Sequence, residues 1–335
     1  MATPAMTLEL PPTWTLSASA FNWTPDVIRA ERTTADLAVG IVADGLTDTI
    51  EIEAGQTFRG FPRTTDAEAD DLRSRLAAVG GRVSIVGASL DDATPRGTRL
   101  TEDEREAFLL PQLRAAKRLG ATAVRLPFGQ AGSELLRRIL PTLHELDLVL
   151  FEEIQGQQTP DSPPVAAAIE VLSDLDDPRL RVLVDISMLM PSLPPSYLEV
   201  LRRAGIPAEL MTRLESEWRS PETHSAVIDL LRSGGVPPAI QTMYMNLLVR
   251  FGRSDATVIR GILPLVGAFH LKFWDLDDTD SRVSGPIRDL GRELARTDFS
   301  GTLCSEWGGH EWLDDEDATD ITRRHLELAR AALAS

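Results

Sequence analysis

The 335 residues are 43% hydrophobic and 25% charged, the balance of a globular chain long enough to bury most of its surface without cross-links. A net charge of −17 repels phosphate backbones and argues against a nucleic-acid partner, and the single cysteine, Cys304, excludes an internal disulfide and fits a reducing compartment. No apolar run approaches the roughly 20 residues of a membrane helix, and MATPAMTLELPP lacks the basic start and apolar stretch of a signal peptide, so a cytoplasmic protein with no membrane contact is expected.

Short β-branched or apolar runs bounded by turn residues predict strands. The first three are WTLSASAF (14–21), DTIEIEA (48–54) and RVSIVGA (82–88). AEADDLRSRLAAVGG, just before the third, has helical spacing and stops at Gly80 and Gly81. TEDEREAFLLPQLRAAKRLG follows, opening on Thr101 and acidic residues and stopping at Gly120. ATAVRLPF (121–128), the helical SELLRRILPTLHEL, LDLVLFEE (146–153), the helical VAAAIEVLSDL and LRVLVDIS (180–187) continue the alternation. Pro111 and Pro141 are expected to kink or break their helices. A stretch over about 190–265 carries several helical segments and two proline clusters, and reads as a helical excursion acting as a lid, a partner surface or simple padding. AFHLKFWD (268–275), SGPIRDLGRELART, GTLCSEWG (301–308) and ATDITRRHLELARAALA complete the chain.

Eight strand–helix alternations predict an α/β fold with a parallel sheet, closed as a (β/α)8 TIM barrel over 1–335, with the long insertion between strands 6 and 7. An open doubly wound sheet is the alternative, weakened by the lack of a glycine-rich dinucleotide turn.

Functional groups of such barrels sit at the C-terminal strand ends. Strand five ends in Glu152 and Glu153, strand six in Asp185, strand seven carries His270 and strand eight ends in Glu306. Three carboxylates and an imidazole brought to one point repel unless a cation offsets them. Oxygen-rich ligation with one imidazole suits Mn²⁺ or Mg²⁺. Glu152 and Glu153 cannot both point inward, and periodicity does not choose between them, because both faces of this strand are apolar. Lys272 and Arg125 can each neutralise an oxyanion or form an interior salt bridge. Trp274, Trp307 and Trp312 offer aromatic faces to a sugar ring or pack a core. His144 and His325 fall in helical patterns and His224 in the excursion, with no evident role.

The pieces Glu153-Ile-Gln-Gly156, Asp185-Ile-Ser187, His270-Leu-Lys-Phe-Trp274 and Ser305-Glu-Trp-Gly-Gly-His310 resemble the xylose isomerase-like, or sugar phosphate isomerase/epimerase, superfamily. The resemblance spans nearly the whole chain, most weakly in the first 80 residues. Within the superfamily they are most similar to the catalytic subunits of bacterial C-glycoside deglycosidases. The resemblance implies Glu153, Asp185, His270 and Glu306 as metal ligands, Mn²⁺ or a similar ion, and a substrate chelated through adjacent carbonyl and hydroxyl oxygens. It implies proton abstraction beside the carbonyl of a keto-sugar or 3-oxo-glycoside, leading to isomerisation, epimerisation or lyase-type cleavage. A small β-rich partner subunit and an oligomer are implied as well. Where that branch carries Glu-Ile-His, this chain has Gln155, which cannot titrate but can hydrogen-bond a hydroxyl. Ser187 and Met188 occupy the stretch where the wider superfamily has a histidine. His310 and Lys272 are then the candidates for the base, and Arg125, Trp274 and Trp307 for substrate binding. Two alternatives stand beside this reading. One is a non-catalytic sugar-binding subunit, suggested by Gln155. The other is a metal-dependent endonuclease of the same superfamily, opposed by the five histidines and the charge.

Overall fold

The computed structural model describes residues 9–335; residues 1–8, which begin the stretch read above for a signal peptide, lie outside them. Eight parallel strands close into a barrel in sequence order. They are β1 (Trp14–Ser19), β2 (Thr49–Glu53), β3 (Arg82–Gly87), β4 (Ala123–Pro127), β5 (Val149–Ile154), β6 (Leu180–Asp185), β7 (Val266–Phe273) and β8 (Gly301–Trp307). β1 closes on β8 with Trp14 beside Gly301 and Ala18 beside Ser305. Each run expected as a strand is one. No helix among the described residues is long and apolar enough to cross a membrane.

The helices between strands follow their caps. Thr101 accepts the Glu104 N–H and Glu104 accepts the Thr101 N–H at 2.8 Å, closing a capping box that starts the helix Glu102–Leu119. Thr65 and Glu68 do the same for Asp66–Ala78. The helices Glu102–Leu119 and Gly132–Leu146 run through Pro111 and Pro141, contrary to the expected breaks. A proline inside a helix costs about 3 kcal/mol. Burial of Leu109, Leu113 and Ala116 on one helix, and of Leu135, Ile139 and Leu143 on the other, outweighs that locally. The helix Thr34–Ala43 has no counterpart in the sequence reading, because its near-continuous apolar run lacks a helical stripe.

Between β6 and β7 lie the helices Pro195–Arg203, Ala208–Ser216, Pro221–Arg232 and Gln241–Val249. They bury a cluster of their own, including Tyr197, Leu201, Leu214, Val227, Tyr244 and Phe251, which continues to Trp274 at the end of β7. Phe251 lies 4.7 Å from the Tyr197 ring and 4.8 Å from that of Trp274, both edge-on.

The barrel interior changes character within two residues. Ile85, Ala123, Phe151, Leu183 and Ala268 form an apolar cluster low in the barrel. Strand side chains alternate faces, so the same inward face continues two residues on. There it carries Gly87, Arg125, Glu153, Asp185 and His270. This step from apolar plug to charged layer, at the C-terminal strand ends, positions the site.

Candidate metal centre

Glu153, Asp185, His270 and Glu306 come from four consecutive strands, all buried, each offering a donor atom within 4.8 Å of the others. Strand register puts them there: Asp185 pairs with His270 across β6 and β7, and Lys272 with Glu306 across β7 and β8. Asp185 also caps the turn after its strand, accepting the Ser187 N–H at 2.7 Å.

The histidine ring is held from both sides. His270 Nε2 meets Glu51 of β2 at 3.0 Å. Glu51 accepts only, so Nε2 carries a proton, and Nδ1 turns toward the donor set. Nδ1 lies 2.9 Å from a Glu153 oxygen and 3.1 Å from a Glu306 oxygen. A buried ring nitrogen converging with carboxylate oxygens, and backed by an outer carboxylate, is the donor chemistry of a divalent cation. The residues present therefore fit Mn²⁺ or Mg²⁺.

Electrostatics agree with the crowding. Burial pushes the His270 pKa down, but Glu306, Glu153 and Glu51 outweigh it and hold the imidazole well above its usual value. Burial raises Glu153 and Glu306, but Arg125 and His270 bring the first below the usual carboxylate range, and His270 and Lys272 bring the second well below it. Asp185 is pushed up to about 6, burial first, with the neighbouring Glu306 and Glu153 adding to it.

Glu153 is the inward member of the pair at the end of β5. It contacts Arg125 at 2.6 Å as well as His270. Glu152 is buried on the opposite face beside Gly129, where burial pushes it up to about 7.

A cavity of about 790 Å³ opens above the four donors. Arg125, Gln155, Lys272 and Trp274 line it, together with Phe21, Phe128, Leu248, Val249 and Arg250. Lys272 reaches Glu306 at 3.1 Å and stands over the Phe21 and Trp274 rings at 5.1 and 5.5 Å. Burial pushes its pKa down, but Glu306 and Asp185 hold it above the usual lysine value, so it is a cation. Arg125 bridges Glu153 and Glu53.

Two residues expected at the substrate are not on the cavity wall. Trp307 is fully buried, and its indole N–H donates to the Trp274 carbonyl at 2.9 Å. His310 stands behind Phe21, edge-on to its ring at 4.9 Å and to Trp307 at 5.5 Å. Burial and Lys272 lower its pKa to about 4, so it is neutral at neutral pH. His325 is fully buried, accepts or donates at Ser305 Oγ (2.8 Å) and stacks on Phe273. His144 is half-exposed and pairs with Asp177 at 2.8 Å.

The excursion reaches the cavity through the end of its last helix. Gly156 has φ of +66°, and a side chain there would collide with the Val249 carbonyl. Gln157 N–H donates to the same carbonyl at 3.2 Å. Arg250 pairs with Glu311 after β8, joining the excursion to the loop that carries His310.

Sequence reasoning missed Glu51, Glu53 and Phe21. The signal for the first two was present: DTIEIEA places charges at alternate positions of a strand that a barrel buries. Phe21 lies just past β1, with no pattern to distinguish it from core.

No family model matches the chain. A C-glycoside deglycosidase alpha subunit of Arthrobacter globiformis is 28% identical over 95% of this chain and 92% of its own length. A 3'-dehydrocarminate deglycosidase alpha subunit of a Microbacterium species is 27% identical over 94% of each chain. Among solved structures, a D-psicose 3-epimerase determined in the presence of D-fructose aligns with a TM-score of 0.57 at 13% identity, covering 96% of this chain and all of that one, a likeness of fold. These relatives and this fold match the resemblance read from the motifs.

Proposed function

We propose that this chain is the catalytic subunit of a divalent-cation-dependent enzyme that abstracts a proton beside the carbonyl of a 3-oxo-glycoside, and cleaves the glycoside by elimination. The observation that carries the reading is the four-donor cluster Glu153, Asp185, His270 and Glu306 beneath an open cavity. The names of the relatives support the substrate class, and "alpha subunit" in those names supports a second subunit here.

When bound, Mn²⁺ or a similar cation supplies Lewis acidity to the substrate oxygens. The chain does the rest. Glu51 keeps the proton on His270 Nε2 and so aims Nδ1 at the donor set. Arg125 holds Glu153 in place from the fourth strand. Lys272, cationic between Glu306 and the cavity, stabilises negative charge growing on the former carbonyl oxygen. Gln155 hydrogen-bonds a sugar hydroxyl, and Trp274 gives the ring an apolar wall. Leu248, Val249 and Arg250 bring the excursion over the mouth, where Val249 is 58% exposed and free to meet an aglycone or the second subunit.

Elemental analysis of purified protein tests the cation directly, with wild type beside His270→Ala and Glu306→Ala. One Mn²⁺-like ion per chain, lost in both variants, is the expected result. Wild type that takes up no ion after loading would sink the proposal.

A further inference from the structure

Proton abstraction needs a base within reach of the substrate, and neither of the candidates named above, Lys272 and His310, supplies one. Gln155 does not titrate. Lys272 is engaged by Glu306, with Nζ 3.1 Å from its carboxylate oxygen. His310 stands behind Phe21 and does not line the cavity. The lining contains no histidine, and its carboxylates are Glu53, Glu153, Asp185 and Glu306. Three of these are in the donor cluster. Glu53 alone among them is not.

Glu53 is built into place. It ends β2, where register pairs it with Gly87 of β3. A Cβ at position 87 would fall on the Glu53 carboxylate, so the glycine makes the space that the acid occupies. Oε1 accepts from Arg125, which also grips Glu153, and this ties Glu53 to the edge of the donor set. Oε2 has no hydrogen-bond partner among the described residues, and the side chain is 24% exposed, onto the cavity. One oxygen is thus anchored and the other is free.

We propose that Glu53 is the general base that takes the proton from the carbon beside the substrate carbonyl. This rests on the reading under Proposed function and deepens it. The C–H bond breaks toward Oε2, and its electron pair forms an enolate with the charge on the former carbonyl oxygen. The enolate pair then returns: the carbonyl re-forms, a double bond forms between the deprotonated and anomeric carbons, and the bond to the aglycone breaks. The aglycone leaves with that bond pair and takes the proton back from the Glu53 carboxylic acid. No oxidant, water or further reactant is consumed. Arg125, shared between two carboxylates, positions Glu53 without removing its free oxygen.

The test is solvent exchange. The Mn²⁺-loaded protein, with any second subunit that co-purifies, is incubated with a 3-oxo-glucoside in D₂O, and loss of the proton beside the carbonyl is followed by NMR. Glu53→Gln keeps an acceptor for Arg125 but removes the base. It is expected to hold metal and sugar as wild type does, with exchange slowed by about 10²–10⁴-fold. Formate is expected to restore part of the exchange to Glu53→Ala in a concentration-dependent way. Glu53→Gln exchanging at the wild-type rate overturns the assignment. Loss of metal or sugar binding in Glu53→Gln, with no formate rescue of Glu53→Ala, makes Glu53 a positioning residue and also overturns it. Wild type that binds metal and sugar yet neither exchanges that proton nor releases the aglycone refutes the proton-abstraction reading itself, and the base with it.

Discussion

Glu51→Gln is the sharpest test of how the cation is held. Glu51 is 2% exposed and contacts the far nitrogen of the His270 ring at 3.0 Å. Glutamine has the same shape and still accepts from Nε2–H, so geometry and packing survive while the charge goes. A hydrogen bond to an ionised acceptor is roughly twice as strong as a neutral one. The lost anion acts in two directions. It weakens attraction for the cation, and it loosens the Nδ1 proton that the cation must displace. A divalent ion carries twice the charge of a proton, so lost attraction wins. Outer carboxylates of this kind are worth about 10–100-fold in metal affinity. Thermal unfolding reads the same quantity. At a free ion concentration 100 times the wild-type Kd, binding stabilises the fold by about 2.7 kcal/mol; a tenfold weaker site gives about 1.4 and a hundredfold weaker site about 0.4. Calorimetric Mn²⁺ titration, with melting curves with and without the ion, measures both. An unchanged Mn²⁺ affinity in Glu51→Gln would falsify the role given to Glu51.

Two further outcomes follow from the same structure. The raised pKa of His270 makes the imidazolium a stabilising group in the metal-free protein. That contribution is fully present below the ordinary value of about 6.5 and is lost as pH rises through the raised folded value. Cation binding must expel the Nδ1 proton, so Mn²⁺ affinity should rise with pH up to the raised folded value of His270, with a binding enthalpy that depends on the buffer. A pH-independent affinity would count against His270 as a ligand. In the excursion, Phe251→Ala removes a fully buried ring wedged among Tyr197, Trp218, Trp274 and Trp312. The expected cost is about 3–5 kcal/mol in urea denaturation, and a loss under about 1 kcal/mol would show that the aromatic cluster is not packed as described.

What the sequence determined by itself was the architecture and the cast. Apolar runs bounded by turn residues, alternating with helical spacing, specify a parallel barrel, because strands covered on both faces must be apolar throughout. Polar groups placed at the ends of such runs have no packing reason to be there, which marked the pair Glu152 and Glu153 together with Asp185, His270 and Glu306. The same rule held for Glu51 and Glu53, but a five-residue strand with two acids resembles an exposed edge until the barrel buries it. Only the tertiary structure decided which face each side chain takes. At the end of β5 both faces are apolar, so the choice between Glu153 in the barrel and Glu152 against the helices came from register against β4 and β6. It also decided that Pro111 and Pro141 stay helical, because buried faces outweigh local propensity. It put Trp307 and His310 behind the cavity wall, although both lie close to Glu306 in sequence, and brought Glu53 from β2 onto that wall. Distance along the chain says little about which groups share a cavity. Closure of eight strands sets that, and it depends on every one of them at once.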